Sequence, residues 1–383
     1  MEIALAYISY GLILLALVYV RQIFSFYRGL SNLPRGNNSK KHSVTIIVPA
    51  RNEEQNIERC VNSLLAQRYP VEKFSIIVID DQSTDNTAGI VKRIAAESLI
   101  PVVLFSVKDF PEVHSPKIRA LTHGIQHSSS TIIATTDADC VAHPDWIQTV
   151  VSHFQDNVGV VTGLTVYEKR KEISSLFWGV QFLDFISYNA IAAGAIGLNS
   201  VLLTNGSNMA FRREAFDECG GFEAIKHINT GDDSLLGQKI AESGKWKARF
   251  VIEPGGAIVT QPVRTVKEVF HQRARWVGQT AYYPAYMMVF MICTFIMFVG
   301  LTAALPLSLF YWNAIPWIVL FTKFAIDFVT MKRFTHLINR PELLRYFVPT
   351  AIIHIPFILI STIGGYFFSF EWKERTLKKE SAA

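Results

Sequence analysis

Residues 44–67 read VTIIVPARNEEQNIERCVNSLLAQ. The first seven are apolar and rich in β-branched side chains, which is the pattern of a buried strand. From Ile57 onward, Ile57, Val61, Leu64 and Leu65 recur at helical spacing. Between the two lies a polar, acidic turn. Asn52 is placed to cap the helix, Glu53 and Glu54 suit its positive end, and Gln55 fits a capping box. The same order follows downstream. FSIIVID (74–80) reads as a strand, DQSTDNT as a turn and AGIVKRIAAES (88–98) as a helix. PVVLF (101–105) is a strand, IRALTHGIQ a helix and STIIATT a strand. Short apolar strands alternating with helices predict an α/β class, with a mainly parallel sheet covered by helices on both faces. There is no solenoid-type repeat and no low-complexity tract.

In such sheets, ligands bind beyond the carboxyl ends of the strands. Three polar clusters fall there: Arg51–Glu54, Asp80–Asp85 and Asp137–Asp139. Asp, Ser, Thr and Asn also cap helices and make turns, and DDQSTDNT reads equally well that way. The pair in TTDADC (135–140) is harder to dismiss, because no helix begins at once and two ionised carboxylates repel. With no cation next to them in sequence, the expected counter-ion is Mg²⁺ or Mn²⁺ brought with a diphosphate.

The chain has 383 residues, half of them apolar, and the excess is uneven. Residues 3–20, 277–322 and 346–370 carry no charge. The first is about one bilayer span. The second, 46 residues long, would reach about 69 Å as one helix, so it must hold more than one element. Position 2 is Glu and no small-x-small cleavage pattern follows, so residues 3–20 read as a retained anchor and not a signal peptide. Arg21, Arg28, Arg35, Lys40 and Lys41 follow it, which sets the middle region on the cytoplasmic side by the positive-inside rule. SNLPRGNNSKKH (31–42) reads as a linker. The net charge of +5, concentrated beside apolar spans, fits a membrane surface and not nucleic acid. Cys60, Cys140, Cys219 and Cys293 form no CxxC pair and fit structural roles in a reducing compartment.

VPARNEE, VIDDQSTDNT, TTDADC, GDDSLL and QRARW occur in that order. Together they make the chain resemble the family 2 glycosyltransferases, membrane-associated enzymes with a GT-A catalytic fold, over about residues 43–276. The resemblance implies roles by position. Pro49, Arg51 and Glu53 look like the loop that touches the nucleotide base and ribose. Asp81, with Asp80, looks like the uracil-recognising aspartate. Lys117 in SPKIRAL looks like the lysine near the diphosphate, with Pro116 in place of the family's glycine. Asp137 and Asp139 look like the DxD metal motif, Asp139 the stronger ligand. Asp233 looks like the general base, beside Asp232 where the family more often has glutamate. Gln272, Arg275 and Trp276 look like the QxxRW motif at the acceptor and diphosphate. TNGSNMAFRREAF (204–216) resembles an acceptor-side loop, in which Gly206 allows close backbone approach.

The chemistry is coherent without the family. The leaving diphosphate gathers negative charge, which a divalent metal, Lys117 or Arg275 can stabilise. The acceptor hydroxyl must lose a proton, so a carboxylate base is needed, and a single base fits an inverting displacement. His227 and Arg212 are candidates to keep Asp233 ionised. Simpler readings stand beside these. GDDS also suits a helix cap, and Trp276, Arg273 and Arg275 suit a membrane interface. His123 and His127 are four apart, but no third zinc ligand is near. Neither a P-loop nor a dinucleotide fingerprint occurs.

Residues 173–199 are apolar and aromatic yet carry Asp184, and read as helices at a membrane face. Lys323 and Asp327, four apart in an apolar segment, read as a self-neutralising pair. Residues 346–370 are flanked by Lys332, Arg333, Arg340 and Arg345 before and Lys373, Arg375, Lys378 and Lys379 after; Pro356 and Gly364-Gly365 leave a span or a re-entrant hairpin open. We therefore expect an anchor (1–24), a linker (25–42), a GT-A domain (43–276) and a membrane region (277–383) with spans near 285–305, 311–331 and 346–370 and a basic tail. The expected protein is a multi-pass inner-membrane enzyme facing the cytoplasm. It transfers a sugar from a nucleoside diphosphate sugar, of the UDP kind by the resemblance, to a lipid or glycan acceptor. A processive polysaccharide synthase of the cellulose or hyaluronan synthase type, a nucleotidyltransferase, a transporter and a non-catalytic nucleotide-sugar-binding scaffold are the rivals.

Overall fold

The computed structural model describes residues 2–107, 115–226, 228, 231–367, 370–372 and 375–377. His227, Lys373, Lys378 and Lys379 lie outside the described residues. In chain order the helices are α1 (Glu2–Gly29), α2 (Ile57–Leu65), α3 (Thr87–Glu97), α4 (Pro116–Gln126), α5 (Trp146–Ser152), α6 (Ser175–Gly197), α7 (Arg213–Glu218), α8 (Asp232–Glu242), α9 (Val266–Val277), α10 (Ala285–Phe310), α11 (Ile315–Leu337) and α12 (Phe347–Phe367). The strands are β1 (Val44–Ala50), β2 (Phe74–Asp80), β3 (Val102–Ser106), β4 (Ile132–Thr135), β5 (Val141–Ala142), β6 (Val158–Gly163), β7 (Thr165–Tyr167), β8 (Met209–Arg212), β9 (Lys247–Val251) and β10 (Ile258–Thr260), followed by a short pair, β11 (Phe370–Trp372) and β12 (Arg375–Leu377). They fall into two compact units. One comprises Leu33–Ile173, Ala195–Val263 and Ser369–Ala383; the other comprises Met1–Asn32, Ser174–Gly194 and Arg264–Phe368.

The first unit is built on a seven-stranded sheet of order β3-β2-β1-β4-β8-β6-β9. Pairing is parallel from β3 through β4, antiparallel on both sides of β8, and parallel again between β6 and β9. The mostly parallel expectation holds, with β8 the one reversed strand of this sheet. Alternate residues of β1 go to opposite faces, as a pleated strand requires. Ile46 and Val48 join a core with Ile57, Val61 and Leu64 of α2. Ile47 joins a second core with Ile118 and Leu121 of α4 and Leu236 and Ile240 of α8. Both faces are thus covered, which is why the strands read as continuous apolar runs. Ala50 pairs with Asp80 and Ile47 with Thr135, so the loops after β1, β2 and β4 emerge side by side. A smaller sheet, β5-β10-β7, follows.

One local expectation is overturned. Asn52 does not cap α2, which starts five residues later, at Ile57. Asn52 sits at φ 51°, in the left-handed region that Asn tolerates. Its backbone N–H donates to Ser83 Oγ (3.0 Å) and its side-chain oxygen accepts from the Thr84 N–H (2.8 Å). The side chain that suits a cap is used between loops.

The second unit gathers the apolar helices. Three segments are long and apolar enough to cross a bilayer among the described residues: Leu5–Asn32, Ala285–Phe310 and Pro341–Gly365. Within the stretch 346–370, residues Phe347–Phe367 form one helix, α12, unbroken through Pro356. The segment near 311–331 forms α11, which is not among the three. Its Lys323 meets Asp327 at 2.8 Å, as the spacing predicts, and His354 Nδ1 of α12 at 3.1 Å. Tyr19 of α1 donates to the other Asp327 oxygen at 2.8 Å. Residues 174–194 and 264–276 also cluster here.

α1 and α6 meet at two glycines. A Cβ on Gly194 would stand 2.6 Å from the Phe26 carbonyl oxygen, whereas one on Gly11 would meet nothing within 4 Å. Gly194→Val should therefore cost about 1–3 kcal/mol or more, since backbone cannot yield as a side chain can. The thermal unfolding of the detergent-solubilised chain checks this. Gly11→Val, on α1, should shift it far less.

Candidate active site

The three loops that the sheet brings together carry Arg51, Glu53, Asp81, Asp137 and Asp139. The loops after β1 and β2 are bound to one another. Arg51 donates to the Asp81 carbonyl (2.8 Å), the Glu54 N–H to Asp85 (3.0 Å), and the Asn86 N–H to Glu54 (3.1 Å). Glu53 is buried, with its N–H on Thr87 Oγ1 and its carboxylate accepting from Asn56. Asp85 anchors the start of α3 by accepting from the Thr87 N–H. Part of DDQSTDNT is thus helix-end chemistry. Pro49 lies within β1, and Asp80, at the end of β2, accepts from the Ser83 N–H at 3.2 Å.

Asp81 is buried and ion-paired with Arg119 of α4, itself buried. Sequence reasoning missed Arg119. The available signal was a cation two residues after Lys117, on a helix whose neighbours Ile118, Ala120 and Leu121 are all core.

Lys117 is placed by a helix start. Ser115 caps α4, accepting from the Ile118 N–H, and Pro116 is the first helical residue, where its missing N–H costs nothing. Pro116 therefore begins a helix. Lys117 Nζ lies 3.1 Å from Asp137 Oδ1. This corrects the expectation that the DxD pair has no protein counter-ion; the lysine is 20 residues away in sequence and adjacent in space. Burial acts to lower the lysine pKa, but the charges of Asp137, Asp232 and Asp233 more than reverse that and hold it above its ordinary value.

Asp232 and Asp233 open α8. Gly231, at φ 85°, occupies the cap position, so neither aspartate caps the helix with its side chain. Asp233 accepts from the Gly206 N–H and from the Ser234 N–H. A Cβ on Gly206 would lie 3.0 Å from Lys117 Nζ and 3.1 Å from Asp233 Oδ2, so any larger residue there would press on both groups. The Gly206 loop is pinned from behind. Thr135 donates to the Gly206 carbonyl (2.9 Å), and the Asn208 side chain bonds Trp146, Leu164 and Gly256 inside the core. Lys117, Thr135, Gly206, Asp232 and Asp233 line one small cavity, backed by Leu121, Met209, Phe211, Phe222 and Leu236. Burial, then the charge of Asp232, pushes the Asp233 carboxyl up to about 6, while Lys117 and the two N–H donors act against the rise. Arg212 is not the neutralising group. It donates to the carbonyls of Val158 and Gln155.

The ligand oxygens of Asp137 and Asp139 and the Cys140 sulfur lie within 4.8 Å of one another. Two half-buried carboxylates fit a hard divalent cation. Burial pushes the Cys140 thiol up, and a hard cation prefers the carboxylate oxygens to sulfur. Gln272, Arg275 and Trp276 lie on α9, in the unit of apolar helices.

A family model described as Glycosyl transferase family 21 matches residues 8–373. The chain is 31% identical over 202 residues to the glycosyltransferase AglE of Haloferax volcanii, covering 52% of this chain and 62% of that one. It is 30% identical over 240 residues to a beta-monoglucosyldiacylglycerol synthase of Nostoc sp., covering 61% and 48%. The chain thus spans less than two thirds of either relative's length. Among solved structures, the mannosyltransferase PcManGT from Pyrobaculum calidifontis, in complex with GDP-Man and Mn²⁺, superposes with a TM-score of 0.60 at 21% identity, covering 90% of this chain and 99% of that one. That likeness is one of fold.

The raised Asp233 pKa has a consequence for stability. Its proton is held more tightly in the folded chain than in the unfolded one, so its contribution is full at low pH and is lost as pH rises through about 6. At pH 7.5 the ionised group opposes folding. Asp233→Asn should therefore raise the unfolding temperature at pH 7.5, and the gain should shrink as the buffer is taken toward pH 5. Differential scanning fluorimetry across that range reads both.

Proposed function

The chain belongs to glycosyl transferase family 21, and from that membership we propose a membrane-bound, inverting transfer of a sugar from a nucleoside diphosphate donor to a lipid hydroxyl. The observation that carries this reading is the convergence of Lys117 with Asp137 and, beside them, of Asp233 with Gly206. A base and a diphosphate-side cation then sit within one small site.

In this reading Asp233 accepts the acceptor's hydroxyl proton as that oxygen attacks the anomeric carbon. The bond from that carbon to the diphosphate oxygen breaks, and its electron pair stays on the diphosphate. One displacement with one base inverts the centre. Lys117 stands where developing phosphate charge is neutralised without reorganisation. A divalent cation held by Asp137 and Asp139 would supply the further charge neutralisation that the leaving group requires. Asp80 and Asp81, with Pro49, Arg51 and Glu53, form the base and ribose end, Arg119 fixing Asp81 from within the fold. Gly206 borders the acceptor side. Gln272, Arg275 and Trp276 serve the acceptor and diphosphate.

A lipid acceptor is supported by the three apolar helices and by the similarity to a glucosyldiacylglycerol synthase. The basic residues after α1 support a cytoplasmic catalytic unit. A UDP donor rests on Asp81 and the resemblance of its loop.

The test uses the full chain in detergent with Mn²⁺, a panel of nucleoside diphosphate sugars and diacylglycerol. Lipid-dependent release of nucleoside diphosphate is expected. Asp139→Asn and Asp233→Asn should each lower it at least about 100-fold. Donor binding without release under any condition, or Asp233→Asn turning over like the parent, would sink the reading. The pH profile adds a second check. With a base at about 6, kcat/KM should fall below about pH 6. Lys117→Met removes a charge that lowers the Asp233 pKa, so its acid limb should move to higher pH.

A further inference from the structure

Arg273 is one of the two unspecified positions inside QRARW, and the sequence left it as an interfacial anchor. The fold puts it elsewhere. Its side chain is 2% exposed, and its partner Asp184, from the apolar helix α6, is 8% exposed. Arg273 Nε donates to Asp184 Oδ2 at 2.9 Å, and Nη2 donates to the same oxygen. Nη1 donates to Gln272 Oε1 at 3.0 Å. The guanidinium carbon stands 4.1 Å from the ring centre of Trp276 and 5.2 Å from that of Tyr188. Tyr188 meets Trp276 edge-on at 5.3 Å, and Phe185 lies 6.0 Å from it.

A buried ion pair is a poor source of stability, because desolvation offsets most of the attraction and apolar residues of similar volume do as well or better. The geometry offers another account. One planar group holds two neighbours on α9, Gln272 by a hydrogen bond and Trp276 by its face. Asp184 fixes that plane through two of its nitrogens. With its oxygen engaged by Arg273, the Gln272 amide presents N–H donors, the polarity that suits a phosphate or a sugar hydroxyl. Lysine has no plane to stack and no fork to divide among three partners.

We infer that Arg273 and Asp184 are positioning residues, which preorganise Gln272 and Trp276 for the transfer. The inference rests on the reading of Gln272 and Trp276 as site residues given above. It adds two residues that the motif does not specify, one of them on α6, far upstream of the motif in sequence.

The experiment uses the full chain in detergent with UDP-glucose, Mn²⁺ and diacylglycerol, reading UDP release. Asp184→Leu combined with Arg273→Met replaces the pair by apolar side chains. The unfolding temperature should hold or rise, while kcat falls about 100-fold, as expected for a misplaced group. The donor KM should change by less than about threefold. In a Gln272→Ala/Trp276→Ala background the same two changes should cost nothing further. Arg273→Lys keeps the charge and should still lose about tenfold in kcat. Near-ultraviolet circular dichroism gives a readout independent of turnover. The Trp276 contribution, taken as the difference between a chain and its Trp276→Phe variant, should be large in the parent and collapse in both Arg273 variants. Parental kcat in the Asp184→Leu/Arg273→Met chain, or an equal fall in the Gln272→Ala/Trp276→Ala background, overturns the proposal, and so does an unchanged Trp276 signal. If Gln272→Ala/Trp276→Ala itself keeps full kcat, the role given to the motif is what fails, and the dichroism still decides whether Arg273 orients Trp276.

Discussion

One ammonium group stands among the carboxylates on which the site depends. Lys117 touches Asp137 directly, lies within reach of Asp233 across Gly206, and feels the charge of Asp232. Acidic groups from the loop after β4 and from the start of α8 act on this one lysine, and without a cation they would repel. The fold answers with a helix start. Ser115 and Pro116 fix the first turn of α4, and Lys117 is carried to the carboxylates on a rigid element. Much else follows from the need to keep that arrangement tight: a glycine at 206, a buried asparagine at 208, and backbone N–H groups aimed at Asp233.

The sheet was legible because its strands are buried on both faces. Uniform apolar runs such as VTIIVPA and FSIIVID have few other uses in a chain of this composition. The clusters at their carboxyl ends were legible for the same reason, since polar residues there have no core to join. What sequence did not disclose were partnerships across elements. Lys117 with Asp137, Arg119 with Asp81 and Arg273 with Asp184 each join side chains that sit on different helices or loops. Local rules also misled where a tertiary partner outbid them. Asn52 looked like a cap and became a bridge to Thr84. Gly364 and Gly365 looked like a bend and stayed inside α12, where a Cβ on Gly365 would come within 2.8 Å of the Ala274 carbonyl oxygen.

The apolar unit obeys a stricter version of the same economy. Several polar groups taken into it meet one another: Lys323 with Asp327 and His354, Asp327 with Tyr19, Arg273 with Asp184. Such pairing is what an environment of low dielectric demands. It also fixes which helix faces which, since apolar side chains alone would tolerate several rotations about each axis.

The bonds between the loops after β1 and β2 have a dynamic consequence. Asn52 is held to Ser83 and Thr84, Glu54 to Asp85 and Asn86, and Arg51 to Asp81. Neither loop can lift away by itself without breaking several of these at once. The two behave as a single cooperative patch, opening to solvent together or not at all. A ligand that settles on either loop would therefore slow amide exchange on both, and the mouth of the site breathes in one motion instead of two.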